Sequence, residues 1–270
     1  MNRRSVLAVV IAIFAVTTAR ANQLRPETLQ SWNGYIQSAN LELNRRVSGQ
    51  RSFLWIDERP DLARLVRQGQ TVAFAPDGMP QRVPHGLIHD WIGDVFIPNA
   101  KLSEILAVLA DYDHYKDFYK PMVADSRVME RNGANEKFAL LMMDKAFSVI
   151  AAIDTENDVH TVRLGTHRAY IVSYATRLQE ISDFGQLTQK KLAQDCGPGF
   201  IWRLQNVIRV EQRDNGVYLE IETTAMSRAI PAGMRWLFTP LTERIPRNRM
   251  LLTLDDTREA VVQFRTAATK

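Results

Sequence analysis

The sequence predicts an α+β protein: a helical segment, then one antiparallel sheet of consecutive strands, then a long C-terminal helix. Three observations carry this. Between Met122 and Met226 apolar residues alternate with period two, the spacing of a strand. On either side of that stretch they recur every three or four residues, as on a helix face. Two short turn sequences, Asn132-Gly133-Ala134-Asn135 and Asp214-Asn215-Gly216, separate alternating runs, which makes the neighbouring strands antiparallel.

In chain order, residues 1–21 read as a cleavable export signal. Arg3 and Arg4 give a positive start, Val6 to Val16 is almost unbroken apolar sequence, and Ala19-Arg20-Ala21 supplies a small-x-small cleavage pattern, placing the mature start at Asn22. A spanning anchor would need about 20 apolar residues, about twice the run present, so cleavage is favoured and no stable membrane insertion is expected. Arg3-Arg4-Ser5-Val6-Leu7 also resembles a twin-arginine signal. Paired arginines are common in ordinary signals, and the general secretory route is preferred. The expected location is periplasmic or extracellular.

Residues 22–80 read as an N-terminal helical extension. Pro26 suits a first turn, and Leu29, Trp32, Ile36, Ala39, Leu43 and Val47 form one apolar helix face. Pro60 opens a second, short helix with Leu62, Leu65 and Val66, and Ala75-Pro76-Asp77-Gly78-Met79-Pro80 is turn chemistry. The domain proper spans 81–270. It opens with a strand over Leu87–Ile97 and a helix over Leu102, Ile105, Leu106 and Leu109. Strands follow at Val123–Arg131, Lys137–Asp144, Phe147–Thr155, Thr161–Leu164, Ala169–Ile181, Phe200–Gln212 and Val217–Met226. A long polar loop, Ser182–Gly199, interrupts them. The last helix starts after Ile230-Pro231-Ala232-Gly233, is interrupted at Pro240 and Pro246, and continues through Met250, Leu254, Thr257 and Val261.

Asn215-Gly216, taken as the centre of a two-residue type I′ turn, sets Asp214 opposite Val217, Val210 opposite Ile221, Ile208 opposite Thr223 and Arg209 opposite Glu222. One face then carries Trp202, Leu204, Asn206, Ile208, Val210, Leu219, Ile221 and Thr223 and should be covered. The other carries Arg203, Gln205, Arg209, Glu211, Glu220 and Glu222 and should be wet.

Composition narrows the function classes. The leader takes Arg3, Arg4 and Arg20 with it, which brings 34 basic residues nearly level with 30 acidic ones. Both signs are interspersed, so nucleic-acid binding is not expected. Cys196 is the only cysteine: an internal disulfide is impossible, and in Asp195-Cys196-Gly197-Pro198-Gly199 no base activates the thiol. His85 and His89, four apart on a strand, would stand about 13 Å from each other, too far to share an ion. His114, His160 and His167 lie elsewhere. No metal and no cofactor are expected. No Gly-x-Ser-x-Gly or Gly-rich phosphate loop is present. Glu220 and Glu222 opposite Arg203 and Arg209 read as cross-strand ion pairs.

Two segments carry a resemblance to a known family: Asp111-Tyr112-x-x-Tyr115-x-x-Phe118-Tyr119-x-Pro121-x-Val123-x-x-Ser126, after the first domain helix, and Ser227-x-x-Ile230-Pro231, before the last one. With the element order, they resemble the START-related helix-grip superfamily, which includes polyketide cyclases and coenzyme Q-binding proteins, and in particular its secreted members. The resemblance covers roughly Leu87 to Phe264. It implies a curved antiparallel sheet wrapped around the long C-terminal helix, with a mostly apolar cavity between them.

Methionines suit an adaptable apolar surface, and aromatic rings with polar tips suit a small-molecule pocket. The candidate ligand-binding residues are Met142, Tyr170, Tyr174, Trp202, Leu204, Asn206, Ile208 and Thr223 on the sheet, with Met234 and Leu237 opposite. Two functions remain open: a binder of a hydrophobic molecule (lipid, quinone or polyketide-like), and a cyclase- or aromatase-type enzyme. An interaction module without ligand is a third. A cyclase needs an ionisable group facing the cavity. The covered face derived above has no carboxylate, so a binder is preferred to an enzyme. Nothing in the sequence speaks to oligomeric state.

Overall fold

A computed structural model describes residues 22–78, 80–146, 149–229 and 235–268. The export signal, Phe147, the Ile230–Gly233 lead-in and Met234 lie outside the described residues, and of Leu237 only the helical backbone is described. A two-stranded piece joins β1 (Asn22–Gln23) to β10 (Cys196–Gly197). Helix α1 is Pro26–Val47, and α2 is Pro60–Arg67. Strands β2 (Val72–Phe74), β3 (Gln81–Val83) and β4 (Gly86–Pro98) lead to α3 (Leu102–Leu109) and a short α4 (Tyr115–Phe118). Then come β5 (Val123–Asn132), β6 (Asn135–Ala146), β7 (Val149–Leu164), β8 (Arg168–Ser182), β9 (Lys190–Lys191), β11 (Arg203–Arg213) and β12 (Gly216–Arg228), and finally α5 (Arg235–Ala268). The main sheet is antiparallel throughout, in the order β2-β4-β12-β11-β8-β7-β6-β5, with β3 on β4 and β9 on β8.

The sheet curls around α5, as the resemblance implies. Near one edge the helix sits in a notch at Gly93 of β4, where an added Cβ would lie 2.5 Å from Met250 Cγ and 2.6 Å from Leu254 Cδ1. Five strands away in the sheet order, Asp144 of β6 accepts a forked pair of hydrogen bonds from Arg249. Tyr119, just past α4, bonds Thr257 at 3.0 Å. The gripped core joins Val95, Ile97, Val210, Leu219 and Ile221 of the sheet to α3 and to Leu254 and Val261 of α5.

Three local expectations need correction. Residues 149–164 form one strand, not two, and a register shift at Glu156/Asn157 absorbs its polar middle. Helix α5 runs through Pro240 and Pro246. A proline inside a helix costs about 3 kcal/mol, and here the packing of the rest of the helix outweighs it. The β11–β12 turn sits one residue earlier than expected: Asp214 and Asn215 take the positive φ values (54° and 57°) and Arg213 pairs Gly216. The register therefore moves by two, so Ile208 faces Ile221, Val210 faces Leu219 and Arg209 faces Glu220. Because the shift is even, every side chain within β11 and β12 stays on the face derived for it. Gly216 serves space rather than conformation, since a Cβ there would lie 2.5 Å from Phe96 Cζ and 2.6 Å from the Ile97 carbonyl oxygen.

The larger correction concerns the face expected to be wet. It is the back of the sheet, and it is buried: Arg209 is 1% exposed and Glu220 0%. Residues 22–74 cover it. Leu24 and Trp32 pack on Ile88, Trp202 and Met226, while Phe53, Leu54, Ile56 and Val66 pack on Tyr218 and β2. Arg46 of α1 locks this cover together: its guanidinium lies 3.7 Å over the Trp55 ring and pairs with Glu42 at 3.0 Å and Glu58 at 3.2 Å. Alternation reveals which side chains share a face, but not what lies over them. The extension also lends β2 to the main sheet.

Candidate functional site: the gripping face of the sheet

Strand parity assigns each candidate to a face. Met142 on β6, Leu204, Asn206 and Ile208 on β11, and Thr223 on β12 point toward the gripping side, all half-buried. Thr223 donates to Asn206 Oδ1 at 2.7 Å, and deeper along the same face Asn157 donates to Thr155 at 2.9 Å. Followed back from Met250, α5 leads toward this end of the sheet, where Trp91 also stands half-buried. An apolar surface with a few internally paired polar groups is the chemistry of a small-molecule wall.

The other sheet candidates are elsewhere. Tyr170 and Tyr174 pair in register with Arg209 and Gln205, so both are on the back. Tyr170 packs against the cluster under α2, and Tyr174 is 48% exposed with its hydroxyl on Asp158 at 3.3 Å. Trp202 precedes β11 in a bend and is buried with Leu24, Trp32 and Met226. It left the expected face because alternation holds only inside the strand.

The sequence reading passed over one residue on the gripping face. His89 shares β4 parity with Trp91 and Gly93, and its Nε2 lies 2.8 Å from Ser227 Oγ. Burial lowers its pKa to about 4, so the ring is neutral near pH 7. His85, the other half of the dismissed metal pair, lies in a turn at φ 58° near Glu27 and Arg25. Among the described residues no group of three or more metal-ligating side chains comes together. Among the described strands three carboxylates share the gripping parity, and all are engaged: Asp144 by Arg249, Glu136 by the Tyr112 hydroxyl at 2.9 Å and Arg131 at 3.3 Å, and Glu180 by the backbone N–H groups of Gly199 at 3.0 Å and Ile201 at 3.3 Å.

A second concentration of ionisable groups lies on the back. Arg209 bonds both Glu220 and Glu222. Glu220 also accepts from the backbone N–H of Trp55 at 2.6 Å and of Ile56 at 3.3 Å, and Glu222 from Trp55 Nε1 at 3.3 Å. Asp94 stands opposite Glu220 with both oxygens buried and no donor. Burial, then the Glu220 charge, push its pKa well above the carboxylate range, and the proton it keeps can turn toward Glu220. Asp90 accepts from Tyr35 at 2.9 Å, and burial followed by the Glu222 charge raises it to about 7. Perturbed carboxylates often mark catalysis. Here the extension seals them, and they hold it down. Two surface cavities, about 190 Å³ beside Asp57, Arg67 and Arg213 and about 350 Å³ along Asn33, Gln37 and Asn44 of α1, also lie on the extension's side.

No family model matches the chain, and no curated protein matches it in sequence. Solved structures do. A STAR-related lipid transfer protein fragment from Xanthomonas axonopodis is 15% identical, with a TM-score of 0.48 over 68% of this chain and 98% of that one. Human STARD10 is 8% identical, with a TM-score of 0.45 over 71% and 75%. The Zhui aromatase/cyclase from Streptomyces sp. R1128 is 12% identical, with a TM-score of 0.42 over 65% and 94%.

Proposed function

We propose that this chain is an exported binding protein for a hydrophobic small molecule, such as a lipid, quinone or polyketide-like compound, held between the gripping face and α5. The observation that carries the reading is the contrast along one face. Toward the α3 end, Val95, Ile97, Val210 and Leu219 are fully packed. Toward the other end, Leu204, Asn206, Ile208, Thr223 and Met142 are only half-buried, which leaves their apolar surface for a guest. The leader motif supports export, and no described helix is long and apolar enough to cross a membrane. The cyclase-type alternative has one observation in its favour, the neutral His89, which could accept a proton at this face.

Native mass spectrometry of the protein recovered from the producing cell's envelope should show a chain beginning at Asn22 that carries an apolar guest. Leu204→Trp should abolish uptake of a pyrene-labelled alkyl probe while the melting temperature stays nearly unchanged. In a closed core the same change would overpack, at about 1–3 kcal/mol. A wild-type protein that takes up no apolar probe would overturn the binding reading. Chemical turnover of a bound polyketone, lost in a His89 variant, would replace it with the enzymatic one.

A further inference from the structure

His89 stands out on the gripping face because its hydrogen bonding is incomplete. Nε2 is engaged by Ser227 at 2.8 Å, while Nδ1 is buried with no partner. Among the described residues, the other buried side-chain polar atoms lacking a hydrogen bond belong to Glu42, Arg46, Asp94, Trp202, Glu211 and Arg213, all in the extension or on the back. On the gripping face, Thr223 and Asn206 satisfy each other, as do Asn157 and Thr155. A buried polar atom left unmet bears its full desolvation cost, and a guest that met it would remove that cost. The pair is not a nucleophile with its base, because Nδ1 lacks the orienting carboxylate such a pair needs.

Resting on the binding reading above, we infer that His89 Nδ1 is the polar anchor for the guest, and that the guest bears an uncharged oxygen group, a hydroxyl above all, on an apolar body. The two tautomers of the ring together favour a hydroxyl. If Ser227 donates to Nε2, Nδ1 carries the hydrogen and needs an acceptor; if Nε2–H donates to Ser227, Nδ1 is bare and needs a donor. A hydroxyl meets either state, and a carbonyl only the first. The charge balance at this face disfavours an anion. The ring is neutral, and Arg249 and Arg131, the described cations placed on this face above, are already paired with Asp144 and Glu136, so a buried carboxylate or phosphate would have no counter-charge.

The test uses the mature chain and three pyrene probes with the same alkyl chain, ending in a methyl, a hydroxyl or a carboxylate. The wild type should bind the alcohol about tenfold more tightly than the hydrocarbon, a difference of about 1.4 kcal/mol, and more tightly than the carboxylate. In His89→Phe the alcohol should lose its advantage and bind no more tightly than the hydrocarbon does to the same variant. A preference that survives in His89→Phe, or a carboxylate that binds best, would overturn the anchor. If that variant does not fold, nitrogen NMR of the wild-type imidazole decides: the Nδ1 resonance should move with the alcohol and not with the hydrocarbon. If no probe binds the wild type, the binding reading falls with it; binding of all three without preference removes the anchor alone.

Discussion

On the back of the sheet, Arg209 sits between Glu220 and Glu222 with 1% of its surface exposed, and a second chain layer closes over all three. On the opposite face of the same strands, Asn206, Ile208 and Thr223 remain half-buried, with one neutral hydrogen bond among them. The two faces invert the usual rule, since the charged one is sealed and the apolar one is left half-buried along part of its length. Burying ions is costly unless they are paired and fully bonded, and the extension meets that condition by aiming Trp55 N–H, Ile56 N–H and Trp55 Nε1 at the two glutamates. Such a network fixes one geometry. On the gripping face Asp144 and Arg249 form a single ion pair at the edge of the half-buried patch, and the patch itself holds no such network, which suits the proposed accommodation of a guest.

Cutting the lock should have the largest effect. Arg209→Met leaves two glutamates buried without their cation, a loss of about 3–5 kcal/mol, to be read from urea unfolding at pH 7. A loss below about 1 kcal/mol, the scale of an exposed pair, would mean that the back is wet after all. Gly216→Val comes next, at about 1–3 kcal/mol. Since the Cβ itself meets Phe96 and the Ile97 carbonyl, Gly216→Ala should already show most of the loss in thermal unfolding. A neutral alanine variant would contradict the close approach.

The smallest effect is a pair of opposite pH slopes. Asp90, raised from 3.8 to about 7, keeps a proton in the folded state that the unfolded chain has released. Its contribution is full below pH about 4 and is lost as pH rises through 7. His89, lowered from 6.5 to about 4, refuses a proton that the unfolded chain takes up. Its contribution is full above about 6.5 and is lost as pH falls toward 4. Urea midpoints measured across this window should rise more steeply with pH in Asp90→Asn than in the wild type, and less steeply in His89→Phe. Unchanged slopes in both variants would mean that neither group is perturbed.

Much of this was legible in the residues. Period-two alternation placed β4, β5, β6, β8, β11 and β12 within a few residues, and the Pro26 and Pro60 starts of α1 and α2 were readable directly. The faces of β11 and β12 survived even a misplaced turn, because a register error of two preserves parity. What covers a face was not readable. Arg209, Glu220 and Glu222 carry the composition of a solvated surface, and only the return of Trp55 across the fold shows otherwise. Tyr170 and Tyr174 share the chemical type of a pocket wall with Ile208's neighbours, whereas the β8–β11 register sends them to the other side. Local spacing pairs His89 only with His85, four residues away. Its real partner, Ser227, is 138 residues away, a separation no local spacing reveals.

The ends of the sheet carry one more consequence. An open antiparallel sheet exposes unpaired backbone at both margins, a template on which a second molecule can continue the ladder. Here one margin ends in β2, three residues long. The other is β5, whose ladder is broken by register shifts at Val123/Asp125 and Val128/Glu130 and whose exposed positions include the charged Asp125, Arg127, Glu130 and Arg131. A strand arriving from solution would find too short a run on one side, and an interrupted, charged one on the other. This sheet can therefore remain open at its margins without propagating into fibrils.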